Sequence, residues 1–216
     1  MKATLAVTLA LAVVATASAL AQDNEHDKAV AGGGKLPAGW AAKTDRGAPI
    51  TNVKFVQMGS GYQVTLGPAA LLYNTEKFSV GPKFHTLASF TQTKAPSMAE
   101  GYGLFIAGKN LDGATQSYIY FLIRSDGAYL VKKRTGDVTA GLAPWTPNEA
   151  INKADAEGRA TNKIEIDASG DKVQFLVNGK SVYSMDRGDN DVSGVIGLRV
   201  NHNLDVHVEG FAAHKL

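Results

Sequence analysis

The chain contains no cysteine, which excludes a disulfide framework, a thiolate metal site, a cysteine nucleophile and a lipid attached at a cysteine behind a leader. It also lacks an excess of either charge: 22 Lys and Arg stand against 20 Asp and Glu, mixed along 216 residues. A balanced surface gives no electrostatic reason to expect nucleic acid or an anionic membrane as partner. Long apolar runs are missing beyond the first residues, so no later segment has the length to insert into a bilayer. There is no Gly-x-Ser-x-Gly elbow to present a serine nucleophile. The glycine stretches at 31–35 and 59–61 lack both the Gly-Lys-Ser/Thr ending and the following helix of a phosphate loop.

What is present begins with Lys2, an apolar stretch from Leu5 to Ala17, and small residues at Ala19 and Ala21. That order is expected of a secretory leader, residues 1–21, cut before Gln22. The processed protein is then expected to be secreted or periplasmic. Residues 22–39 are polar, then glycine-rich, with no apolar period, and read as a flexible lead-in. Residues 40–216 suffice for one domain with its own core.

Within that domain the apolar period is two. "VKFVQM" (53–58) and "YQVTL" (62–66) flank a glycine turn, and "HTLASFTQT" (85–93) alternates. "GYGLFIAG" (101–108) and "SYIYFLIR" (117–124) are apolar on both parities, as central strands covered on both faces are. Asn178-Gly179 joins two further strands, because both residues tolerate the positive φ of a type I′ turn. Only 146–158 offers a helical turn. The count, roughly a dozen short strands, points to an all-β antiparallel architecture, closed or double-sheeted.

The second half resembles a known family. Asn162 before "KIEIDASGD", the strand "VQFLVNGKSV", the glycine-bearing "SGVIGLRV" and the final "DVHVEGF" are similar to the closing strands of concanavalin A-like lectin/glucanase sandwiches. On these motifs the chain also resembles laminin-G-like modules and the exported domain named for 3-keto-disaccharide hydrolysis. The resemblance covers about 101–211. It implies a two-sheet antiparallel jelly-roll sandwich, a glycan on the concave sheet, and in several members calcium at a rim.

Candidate residues follow. Glu165 and Asp167, two apart on a strand, project from one face about 7 Å apart. Glucanases of the resembling superfamily carry such a pair followed by a second Glu, since retaining hydrolysis needs a nucleophile and a separate proton donor. Here Ser169 and Gly170 occupy those later positions, the proton donor is missing, and the polar face of a hairpin explains the pair without catalysis. Asp186, Asp189 and Asp191 share a loop with Gly188 and offer oxygens to calcium, although turns use the same residues. Asp205, His207 and Glu209 alternate on the last strand and, with His202, supply metal-ligand types, but a straight strand spreads the outer two about 13 Å apart.

The best candidate is aromatic. Tyr118 and Tyr120 share a strand face beside Tyr102, with Asn110, Gln116, Arg124 and Trp145 at a rim, where rings stack on sugars and hydroxyls bond to them. The same tyrosines would serve as ordinary core under residues 139–153. Three functions are therefore expected in order: a non-catalytic exported module binding carbohydrate or another cell-envelope ligand, without an obligatory cofactor; a glycoside hydrolase of the keto-disaccharide type; and a structural or adhesion module.

Overall fold

The computed structural model describes residues 30–216 except residue 189; the expected leader and the start of the lead-in lie outside the described residues. Fifteen strands run in chain order as β1 (Ala41–Thr44), β2 (Val53–Met58), β3 (Gly61–Leu66), β4 (Ala70–Tyr73), β5 (Ser79–Val80), β6 (Phe84–Gln92), β7 (Gly101–Lys109), β8 (Ser117–Arg124), β9 (Ala128–Thr135), β10 (Val138–Pro147), β11 (Ala160–Asp167), β12 (Lys172–Val177), β13 (Lys180–Asp186), β14 (Gly194–Val200) and β15 (Asp205–Lys215). They form two antiparallel sheets. One has the order β1-β4-β14-β7-β8-β9-β10 with β5 beside β14, and the other β13-β12-β11-β6-β15-β3-β2.

The core lies between the sheets. Leu104 and Ile106 of β7, Ile119, Phe121 and Ile123 of β8, and Leu198 and Val200 of β14 join Phe84 and Phe90 of β6, Ile164 and Ile166 of β11, and Phe175 of β12. Each of these strands places alternate side chains inward, as a pleated strand must. β6 alternates buried and half-buried along its whole length, whereas β7 is buried at eight successive positions. The difference arises on the outward face of the eight-stranded sheet. There a smaller apolar cluster of Leu71, Tyr73, Phe105, Leu111 and Tyr118 covers the strands from outside.

Glycine is required where that cluster presses on the sheet. A Cβ on Gly197 would stand 2.5 Å from Phe105 Cε1 and 2.4 Å from the Leu72 carbonyl, distances no side chain tolerates.

The asparagines singled out in the sequence explain themselves structurally. Buried Asn162 accepts the Asn152 N–H at 2.7 Å and the Asn178 amide at 2.8 Å, and donates to the Asn152 carbonyl at 3.0 Å. Asn178, at φ 50° beside Gly179 at φ 78°, accepts the Lys163 N–H at 2.9 Å. These bonds tie the β11–β12 hairpin to the preceding loop, so the family-like motif is a fold motif.

Two expectations need correction. Residues 146–158 hold no helix: Thr146 and Pro147 finish β10, and Asn148 and Asp155 then accept nearby backbone N–H groups, closing turns instead. Residues 30–39 pack rather than hang free, for Val30 and Gly34 donate to the carbonyls of Thr51 and Val53, and Leu36 rests on the core.

Candidate functional site

β7 carries a bulge between Ile106 and Lys109, with Ala107 at φ 58°, an uncommon conformation for a residue with a Cβ. The bulge re-aims the chain, and the loop 110–116 folds back over the outward face, seating Leu111 in the small cluster. Lys43 of β1 donates to the Gly113 carbonyl at 3.3 Å. Gly136, in the β9–β10 turn, donates to the Gln116 carbonyl at 2.7 Å. Three separate segments are thereby tied into walls.

They enclose a cleft of about 960 Å3 lined by Lys43, Asp45, Leu71, Asp112, Gln116, Tyr118, Arg134 and His202, among others. Under it lies Arg199, 6% exposed on β14. Its Nη1 and Nη2 each donate to one oxygen of Asp45 at 2.7 Å, and its Nε donates to Asn201 Oδ1 at 3.1 Å. The guanidinium also sits 5.7 Å from the centre of the Tyr120 ring. Such a fork-to-fork pair is the geometry in which arginine holds a carboxylate best.

Burial alone would push the Asp45 carboxyl up, but the Arg199 hydrogen bonds and charge outweigh it and hold the group below its ordinary value. Asp45 remains ionised, with 31% of its side chain exposed. Burial likewise raises the hydroxyl pKa of Tyr118 and of Tyr120. Asp112 accepts a hydrogen bond from the Tyr73 hydroxyl. Gln116 is 8% exposed.

Tyr118 and Tyr120 therefore lie side by side on this face, ring centres 5.8 Å apart. Tyr118 packs with Leu111 of the wall loop and with Phe105. Tyr120 is half-buried. Arg124 and Trp145 come together at the far end of the same strand, the guanidinium 4.3 Å from the indole centre. Gly101 lets the indole approach, since a Cβ there would stand 2.7 Å from Trp145 Cη2. Six residues separate Tyr118 from Arg124, about 20 Å along a strand, so this platform is a second station and not the cleft wall. Asn110 is exposed at the start of the wall loop, and its carbonyl accepts the Gly113 N–H.

Tyr102 must be withdrawn from the set. It faces inward, fully buried 5.5 Å from the Phe90 ring, and burial pushes its hydroxyl up to about 12. Its parity on β7 is that of Leu104 and Ile106, opposite to Phe105.

No protein family matches the chain, and no curated protein does. Solved structures do. A carbohydrate-binding module, CBM66, from Bacillus subtilis superimposes with a TM-score of 0.59 at 12% identity, over 82% of this chain and 95% of the module. A β-glucanase from Bacillus licheniformis gives 0.56 at 10% identity, over 86% and 96%. The metal-free carbohydrate recognition domain of Emp46p gives 0.55 at 9% identity, over 82% and 88%. The fold is that of the concanavalin A-like lectins and glucanases. At these identities the likeness concerns fold, and activity has to be argued from side chains.

Within the concanavalin A-like sandwich the remaining candidates fall elsewhere. Glu165 and Asp167 project from the outward face of the seven-stranded sheet, on the opposite side of the molecule from the cleft. Glu165 is held by Lys163 at 3.0 Å and His85 at 3.3 Å. Asp167 accepts the Ser169 N–H at 2.8 Å, and bonding to Ser169 lowers its pKa. It is the capping residue of the β11–β12 turn.

Asp186 pairs with Lys172 at 3.2 Å. Asp191 pairs with Lys109, which together with Ser193 draws its pKa down to about 2. Asp189 lies outside the described residues. Asp205 accepts from Gln63 at 2.6 Å and Thr93 at 2.6 Å, His207 lies 3.5 Å from Glu209, and His202 stands at the cleft on the other sheet. Among the described residues no three His, Asp or Glu side chains gather as a metal-binding set.

Sequence reasoning missed Arg199, Asp45 and Arg134. Arg199 did leave a signal, as the one charge inside the apolar strand "GVIGLRV". Its partner stands 154 residues away, beyond any local pattern.

Proposed function

We propose that this is an exported, non-catalytic module that binds carbohydrate through the outward face of the eight-stranded sheet. One observation carries the reading: a cleft of about 960 Å3 bounded by three interlocked segments, with Tyr118 on its wall, Tyr120 beside it, and an ionised Asp45 clamped by buried Arg199. Aromatic faces beside charge-anchored acceptors are the means by which proteins hold sugars. Likeness in fold to a carbohydrate-binding module and to a carbohydrate recognition domain supports it. The leader-like first residues support export.

The glycosidase alternative loses its residues. Glu165 and Asp167 stand on the opposite outward face, paired with Lys163 and with a turn N–H. In the cleft, Asp45 is lowered in pKa, the reverse of what a general acid requires.

A glycan array probed with residues 22–216 tests the reading. Binding should fall about tenfold in Tyr120→Ala, the scale of one lost ring contact, and be unchanged in Glu165→Gln. Loss in Glu165→Gln with retention in Tyr120→Ala would place the ligand on the other sheet and end the proposal.

A further inference from the structure

Aromatic rings on the outward face of the eight-stranded sheet form a line along β8, and a bulge brings a tryptophan to its end. Tyr118, Tyr120, Leu122 and Arg124 share the outward parity of that strand, since Ile119, Phe121 and Ile123 fill the core. Tyr118 stands at the cleft, Tyr120 is half-buried next to it, and Arg124 lies against Trp145. Ala143, two residues before Trp145 on β10, packs in the core, so an unbroken strand would send the indole inward as well. The bulge between Ala143 and Thr146 turns it outward instead, as bulges beside sites do. A Cβ on Gly101 would meet Trp145 Cη2 and, at 3.2 Å, Leu122 Cβ, so the indole reaches the flank of Leu122, itself fully buried. The aromatic line therefore continues from Tyr120 to Trp145 with no polar side chain of β8 between them. Trp145 is half-buried and held by the Arg124 cation. A tryptophan fixed in place and still open to solvent offers a rigid ring to a ligand.

A polar line runs beside the rings. Asp45 takes the Arg199 fork, Arg199 Nε donates to Asn201, and the Asn201 side-chain amide donates to Glu100 at 3.2 Å. The Asn201 backbone N–H donates to the Gly101 carbonyl at 3.0 Å, so this line starts at the cleft and ends at the glycine on which the indole rests. Between the polar line and the rings, β7 presents Gly101 and Gly103 opposite Arg124 and Leu122 and adds no side chain of its own. Ring faces on one side and hydrogen-bonding groups on the other are what a chain of sugars requires. The two ends of the line lie about 20 Å apart along the strand. A single sugar ring covers one aromatic station and leaves the other open.

Resting on the carbohydrate-binding reading, we infer that the site takes a linear oligosaccharide laid along β8, with one unit at the cleft beside Tyr118 and Tyr120 and a later unit stacked on Trp145.

Calorimetric titration of residues 22–216 with cello-, xylo-, manno- and fructo-oligosaccharides of graded length tests it. In a series that binds, affinity should rise at least about tenfold once the chain reaches both stations, because the second contact is then intramolecular. Trp145→Ala should abolish that rise and leave the shortest binding oligosaccharide as it was, whereas Tyr120→Ala should weaken every length. The unaltered protein supplies a second readout. It has two tryptophans, and Trp40 is buried in the core, so a shift of indole fluorescence with the long chain and not with the short one reports Trp145. Affinity equal at every length, without a fluorescence shift and still lost in Tyr120→Ala, would overturn the inference while leaving the carbohydrate reading intact. A Trp145→Ala loss equal at all lengths would overturn it too. Binding of no series at any length would remove both. Should Trp145→Ala not fold, the length series and the fluorescence of the unaltered protein still decide.

Discussion

The outward faces of the two sheets are built to different rules. On the seven-stranded sheet outward polar groups pair with near neighbours, Thr91 with Thr161, Ser181 with Gln174 and the largely buried Glu165 with Lys163. On the eight-stranded sheet the outward face has its own apolar cluster, a buried arginine and a folded-back loop. Covering a strand on both sides costs the outward polar groups their water, and a protein that does so has to satisfy or pair what it buries. The contrast shows where a site is built and where a surface is merely wet.

The largest expected effect separates the two faces directly. Asp45→Ala leaves the Arg199 guanidinium buried without its carboxylate, a type of change that destabilises by about 3–5 kcal/mol. Urea unfolding of the variant measures it. Pairing the change with Arg199→Met should restore most of the loss, because an apolar replacement of a buried ion pair is often neutral. A loss below about 1 kcal/mol in Asp45→Ala would mean that the pair behaves like a surface contact and that the two faces do not differ in kind.

The loop that covers the cluster is next. Leu111→Ala removes its apolar anchor, 6% exposed among Leu71, Tyr73 and Phe105. Buried leucine truncations cost about 2–5 kcal/mol, and a surface loop that can relax belongs at the lower end. Hydrogen exchange of residues 110–116 should accelerate together with the stability loss. Exchange that stays slow would show the loop to be held by the Lys43 and Gly136 bonds alone.

The parts of this architecture legible in sequence are those that obey a local rule. Tyr118 and Tyr120 share a face because strands alternate, and β8 runs from Ser117 to Arg124 as its apolar run suggests. The Asn178-Gly179 turn follows from φ preferences. β4, though apolar at every position, is only four residues long and gives no period. β10 reads as loop because two bulges interrupt it and most of its side chains are exposed. Tyr102 was misassigned through its neighbours, since proximity to an adjacent strand says nothing about parity; counting from Phe105, itself apolar, could not settle which face was inward. The cleft was illegible because its partners, Asp45 with Arg199 and Lys43 with Gly113, are joined by the topology of the sheet and by no spacing along the chain.

Acid sharpens the comparison at intermediate scale. The Asp45 carboxyl is lower in the folded protein than the value of about 3.9 usual for an unfolded aspartate. The folded chain therefore binds fewer protons there, and the stability this contributes is complete above that value and is lost as pH falls through the folded one. Stability followed from pH 6 downward should decline below about pH 4, and the Asp45→Ala/Arg199→Met variant should decline less steeply. Asp191 is lowered too, but its side chain is 57% exposed, so solvent screens its pairing with Lys109. An unaltered acid limb in the double variant would assign acid sensitivity to other carboxylates.

The smallest effect belongs to the pair that the sequence makes most conspicuous. Glu165 is itself only 8% exposed, but its partners Lys163 and His85 are 45% and 30% exposed at the side chain, so solvent reaches the pairing from the partners' side and weakens it. Glu165→Gln keeps the volume and an acceptor oxygen, and the Lys163 ammonium can turn to water. The change should move stability by less than about 1 kcal/mol and leave glycan binding as it was. Denaturation and titration of one preparation measure both. A larger stability loss would mean that the outward face of the seven-stranded sheet depends on a buried charge as the cleft does, and the division between a built face and a wet one would have to be drawn elsewhere.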